Sequence, residues 1–156
     1  MKELMEYREK LVARLREAAA EFCEACRSFD DPFSSAEGEW TPHQMAYHVC
    51  GIDREVYGMR IRRTLNEENP LFKNFDPDGW MGAHYNRDEP LDKILSEFWD
   101  GIKEVTDLLR QAPQNVWSRL SQHEALGSEL TLQLWVERSL AHIEEHLESF
   151  KNAQKT

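Results

Sequence analysis

An all-α fold, a four-helix bundle, is what this chain predicts, and three observations predict it. Four segments carry apolar residues at steps of three, four and seven, the signature of amphipathic helices. No segment shows the apolar–polar alternation of a convincing strand. The 156 residues, 40% hydrophobic and 10% aromatic, suffice for one packed core but not for two, so residues 1–156 are read as a single domain.

The first helix is expected from Lys2 to Phe29, with Leu4, Leu11, Leu15, Ala18, Phe22, Ala25 and Phe29 along one stripe; Asp30-Asp31-Pro32 ends it. The second opens at Trp40-Thr41-Pro42-His43-Gln44, where Thr41 can cap, Pro42 fits the first helical position and Gln44 completes a capping box. It is expected to reach about Leu65. The third spans Pro90 to Gln111, with Leu91, Ile94, Leu95, Phe98, Ile102, Val105 and Leu109 on one face and Pro113 beyond its end. The fourth covers Thr131 to Lys151, after the turn residues Gly127 and Ser128. Between helices two and three lies a long connection, Asn66 to Glu89, rich in turn pairs such as Asn69-Pro70, Asp76-Pro77 and Asp78-Gly79. A connection of that length tends to be functional or to wrap around the molecule. It is compatible with both up-down-up-down and crossover bundles.

Charge narrows the partners. Nineteen Lys and Arg against 29 Asp and Glu give a formal net charge of −10. Nucleic-acid binding draws on Lys and Arg neutralising phosphates, and an anionic membrane surface makes the same demand, so neither is expected. No apolar run approaches the ~20 residues of a bilayer span. The first residues lack the continuous apolar core of a secretion signal. Three cysteines, an odd number, fit a reducing compartment. The expectation is therefore a cytoplasmic protein acting on a small molecule.

The candidate chemistry lies in histidines. His142 and His146 are four residues apart in helix four, one turn above another on one face. At ~100° per residue, with Ile143 as the centre of the apolar stripe, both fall on the same flank at the core border. Glu137, Glu144, Glu145 and Glu148 face water, which removes Glu145 as a metalloprotease-like base. On helix two, centred on Ile52, His48 leans inward with Gly51 and Glu55 on its side, while Cys50 points away. Gly51 leaves space for a ligand at a helix position where glycine costs ~1 kcal/mol against alanine. Three inward-leaning imidazoles on two helices form the kind of set from which bundles build metal sites. The same three also fit a plainer role as hydrogen-bonded packing residues, and the residues alone leave both readings open.

Other motifs carry less. Cys23-Glu-Ala-Cys26 has C-x-x-C spacing, but lies mid-helix without a second pair or an adjoining strand. His43 is expected exposed in the first turn of helix two, and His84 and His123 in surface loops.

The run from Trp40 to His48 (WTPHQMAYH), the segments Gly127 to Leu132 and Leu140 to His146, and the elements Phe75 to Trp80 and Trp117 to Arg119 together resemble the DinB-like family, named for damage-inducible proteins, over nearly the whole chain. The resemblance implies a four-helix bundle in which His48, His142 and His146 bind a divalent metal, usually nickel or zinc, with manganese or iron as further options. It also implies frequent homodimers, and the chemistry of S-transferases and isomerases that use a low-molecular-weight thiol (bacillithiol, mycothiol or glutathione). Related sequences often follow the histidine pair with a glutamine and an aliphatic residue; here Leu147-Glu148-Ser149-Phe150 follows.

The expected function is a metal-dependent enzyme, acting with such a thiol as an S-transferase or with metal-activated water as a hydrolase. Glu55 would orient a ligand histidine or act as a base. Trp80, His84 and Tyr85 would cover the open side. The alternatives are a non-catalytic metal- or small-molecule-binding bundle, such as a dimeric stress-related protein, and a purely structural one.

Overall fold

The computed structural model describes residues 1–154. Helix α1 (Lys2–Arg27) buries Leu11, Leu15, Ala18 and Phe22 of its expected stripe, together with Cys26, while Leu4 at the start of the stripe is exposed. It ends two residues early, where Ser28 turns its N–H and hydroxyl back to the Ala25 carbonyl. Phe29 lies outside the helix yet still packs on Phe150, ring centroids 5.4 Å apart.

The second helical element has three parts: α2 (Pro42–Ile52), one π-helical turn (Asp53–Tyr57) and α3 (Gly58–Asn66). Its capping box is complete, with the Gln44 N–H donating to Thr41 Oγ1 at 3.1 Å and the Thr41 N–H to Gln44 Oε1 at 2.9 Å. Helix α5 (Leu91–Gln111) and helix α6 (Leu132–Gln154) complete the four-helix bundle. Helix α1 packs chiefly on α5 and α6, and so does the α2–α3 element. Consecutive helical elements one and two therefore face each other across the bundle. This neighbour pattern is the crossover arrangement, not the up-down-up-down ring.

The expectation of no strand needs correcting. Strands β1 (Leu71–Phe72), β2 (Leu120–His123) and β3 (Gly127–Thr131) form a small sheet in the order β1-β2-β3. Leu71 pairs in parallel with Gln122, and Ser121 pairs antiparallel with Leu130. At two to five residues these strands are too short to print a period-two pattern. The sheet is tied to the core through Trp135, whose Nε1 donates to Ser121 Oγ at 2.7 Å.

The long connection is also structured. Helix α4 (Pro77–His84) opens with Asp76 as its cap, accepting from the Gly79 N–H at 3.1 Å, and with Pro77 at the first position. Asp-Pro read as a turn signal is here a helix start. The room at Gly51 is not free for a ligand: a Cβ there would stand 2.1 Å from the Trp80 indole. Among the described residues no helix is long and apolar enough to cross a membrane.

Candidate metal centre

Two neighbouring helical elements carry the three histidines. Helix α2 presents His48 and α6 presents His142 and His146. Ring centroids are 5.5 Å apart for His48 and His142, 4.9 Å for His48 and His146, and 4.7 Å for His142 and His146. One nitrogen from each ring lies within 4.8 Å of the others. Ligation at 2.0–2.1 Å needs nitrogens about 3 Å apart, a contraction within reach of small side-chain rotations.

The hydrogen bonds divide the six histidines into two groups. His43 donates from Nε2 to the Glu89 carbonyl and accepts at Nδ1 from the Tyr85 hydroxyl, both at 2.7 Å. His84 Nδ1 donates to the Trp80 carbonyl at 2.9 Å. His123 Nδ1 accepts from the N–H groups of Ala125 and Leu126. His48, His142 and His146 have no hydrogen-bond partner among the described residues, and Nδ1 of His48 is a buried polar atom left unmatched. Buried polar groups are normally paired because desolvating them costs free energy. Three unpaired imidazoles converging on one point therefore fit a cation with nitrogen ligands.

Their electrostatics agree. Burial, then the neighbouring His146 ring, holds His48 down to about 4, against a smaller upward pull from Asp78. Burial, then His146 and His48, takes His142 to about 3. Burial also lowers His146, opposed by Glu145. At neutral pH all three rings are uncharged, with lone pairs free to coordinate.

The surroundings differ from expectation. His43 is 1% exposed, not on the surface, because Phe33 and Tyr85 pack against its ring. His123 is buried on β2 rather than in a loop. Glu55 lies in the π-helical turn, exposed and paired with Arg54 at 3.2 Å. A π-helical turn widens the helix, so a wheel drawn at 100° per residue loses its bearing there. Trp80, His84 and Tyr85 gather on Tyr47 and Gly51 and stack on none of the three histidines. The rings that pack against them, tilted rather than stacked, are Trp40, 4.8 Å from His48, and Tyr57, 5.3 Å from His142. Tyr57 lies nine positions beyond His48, across the π-helical turn, and no regular period points to it. Trp40 had a signal, its place before the helix cap.

The three cysteines are inert. Burial pushes the Cys23 thiol up to about 11, and Cys26 and Cys50 well above their ordinary range, so all remain protonated. The Cys23–Cys26 spacing belongs to the core.

Against known proteins, the DinB superfamily model matches residues 9–150, and the chain belongs to that superfamily. A Bacillus licheniformis protein named "putative metal-dependent hydrolase" is 27% identical over 139 residues, 85% of this chain and 76% of that protein. An Oceanobacillus iheyensis protein with the same description is 28% identical over 95 residues, 61% of this chain and 54% of its own length. YfiT from Bacillus subtilis, described as a probable metal-dependent hydrolase with an unusual four-helix bundle topology, has a TM-score of 0.76 at 22% identity. That alignment covers 96% of this chain and 89% of YfiT. At that identity the likeness speaks for the fold.

Proposed function

We propose that this DinB-superfamily chain is a metal-dependent enzyme acting on a small molecule, with His48, His142 and His146 as the ligands of one divalent cation. The observation that carries the reading is the convergence of three uncharged imidazoles with no hydrogen-bond partner among the described residues, Nδ1 of His48 being buried and unmatched. Two relatives named as metal-dependent hydrolases support it. An all-imidazole set suits nickel or zinc, and also iron. Three protein ligands leave coordination positions open, as a catalytic site requires.

A divalent ion held there would supply Lewis acidity, easing ionisation of a small nucleophile near neutral pH. The residues do the rest. His142 and His146, one turn apart on a helix, fix two directions of approach, and His48 from the facing element fixes the third. Burial keeps the rings from taking up protons that would compete for their lone pairs. Trp40 packs beside His48 and Tyr57 beside His142, at the edge of the site. Hydrolysis with water as nucleophile is the primary reading, following the named relatives. A low-molecular-weight thiol as nucleophile is the reading drawn from the family resemblance, and Glu55 as base belongs with either.

Metal analysis of untagged protein tests the ligand set. Near-stoichiometric nickel, zinc, manganese or iron in the wild type, lost in the His142→Ala/His146→Ala variant, supports it; no metal in either overturns it. Turnover assays with simple esters and amides, against thiol acceptors, then separate hydrolase from S-transferase. Activity that tracks metal occupancy identifies an enzyme and not a binding module.

A further inference from the structure

Two arginines near the histidine trio, Arg60 and Arg138, pair with no carboxylate among the described residues. Arg14, Arg16, Arg27, Arg54, Arg62 and Arg63 are each ion-paired with a carboxylate. Arg8, Arg60, Arg87, Arg110, Arg119 and Arg138 have no such partner among the described residues; of these, the buried Arg60 and the exposed Arg138 lie on the two helical elements that carry the histidines. Arg60 is only 6% exposed. Its guanidinium lies 4.8 Å from the Trp135 ring and 5.8 Å from Phe72, and one amino group donates to the Lys73 carbonyl at 3.2 Å. Its Nε is buried without a partner. Burial lowers the Arg60 pKa, Tyr57 pulls it back up, and the like-charged Arg138 lowers it further. The field of Arg60 and Arg138 also reaches His123; the nearby acid, Glu124, already accepts from the Asn74 N–H at 2.6 Å.

The placement gives this cluster meaning. Arg138 precedes His142 by four residues on α6, one turn along the same face. Tyr57 and Arg60 are three apart on the facing element, and the Tyr57 ring touches His142. The Arg60 guanidinium lies over Trp135, three residues before Arg138 on α6, so the facing sides of the two elements carry Tyr57, Arg60 and Arg138 next to His142, and the Tyr57 hydroxyl has no hydrogen-bond partner among the described residues. We propose that Tyr57, Arg60 and Arg138 form an anion-binding subsite one helical turn from the metal centre, which selects substrates bearing a carboxylate or phosphate group. The role as a substrate subsite rests on the proposed metal-dependent activity; the binding of the anion does not. An oxyanion there receives charge-assisted hydrogen bonds from two guanidinium groups and one from the phenol. Trp135 and Phe72 hold Arg60 in place through its face. The reacting bond of the substrate then lies on the side of Tyr57 toward His142.

The test uses inorganic phosphate and acetate as probes on 15N-labelled, chelator-stripped protein, with arginine Nε–Hε signals as the readout. Saturable shifts of Arg60 and Arg138 with either probe are expected, and the tighter probe tells phosphate from carboxylate recognition. Arg138→Gln should weaken binding by about tenfold or more with its circular dichroism unchanged, so the test does not depend on an Arg60 variant folding. The His142→Ala/His146→Ala variant should lose metal yet keep the phosphate or acetate shift, which separates this site from the metal reading. Shifts that never saturate, that spread equally over exposed arginines, or that survive Arg138→Gln overturn the proposal.

Discussion

Lowering the pH probes the three histidines most sharply, because protons and metal compete for the same lone pairs. Three imidazoles at the ordinary value of about 6.5 would each lose about tenfold in availability between pH 7.5 and 5.5, or about a thousandfold together. In the fold, His48 sits at about 4 and His142 at about 3, so both stay uncharged at pH 5.5 and contribute almost nothing to that loss. His146 is lowered as well. Even an ordinary imidazole at that position would bring no more than about tenfold. Zinc affinity, measured by competition with a chromophoric chelator across this range, should therefore fall by less than about tenfold. A fall approaching a thousandfold would refute the reasoning, since it would mean that the rings titrate as if in water.

Other outcomes follow from the same geometry. His142→Ala should abolish metal-dependent thermal stabilisation while leaving metal-free melting little changed, as scanning calorimetry with and without chelator would report; among the described residues the ring makes no hydrogen bond to lose. Asp53 is buried and pushed up from 3.8 to about 6, chiefly by desolvation against Arg62, Ser139 and Arg54. A raised acid penalises the fold when ionised, so the cost is present above about pH 6 and absent below about pH 4. Asp53→Asn should accordingly stabilise the protein at pH 7.5 by about 3 kcal/mol and leave it unchanged at pH 4 in urea titrations; destabilisation at pH 7.5 would contradict this. Gly51→Ala puts a methyl against the Trp80 indole at 2.1 Å. Overpacking of about 1–3 kcal/mol should outweigh the ~1 kcal/mol gained in helix propensity, so the midpoint in denaturant should fall rather than rise.

The bundle was legible because its helices are long and strongly periodic. The stripe from Leu11 to Phe22 and the capping box at Thr41 and Gln44 both appear as the sequence implies. Wheel arithmetic brought His48, His142 and His146 to a common flank because each lies in regular α-helix. It failed where the helix ceases to be regular. The π-helical turn at Asp53–Tyr57 displaced the bearing of Glu55 and hid Tyr57. His43 was misjudged because its burial comes from Phe33 and Tyr85, which arrive from distant loops. The sheet was missed because its pairing is non-local: Phe72 meets His123 across fifty residues. Arg60 and Arg138 carry no motif at all, and only the fold brings them together.

The central claim is that one cation joins the two helical elements through three nitrogens. An anomalous-difference map, recorded at the absorption edge of the metal found in the purified protein, tests it most directly. A single peak about 2 Å from a nitrogen of each of His48, His142 and His146 is the predicted result. A map without that peak, with the three rings hydrogen-bonded to protein groups instead, would contradict the account.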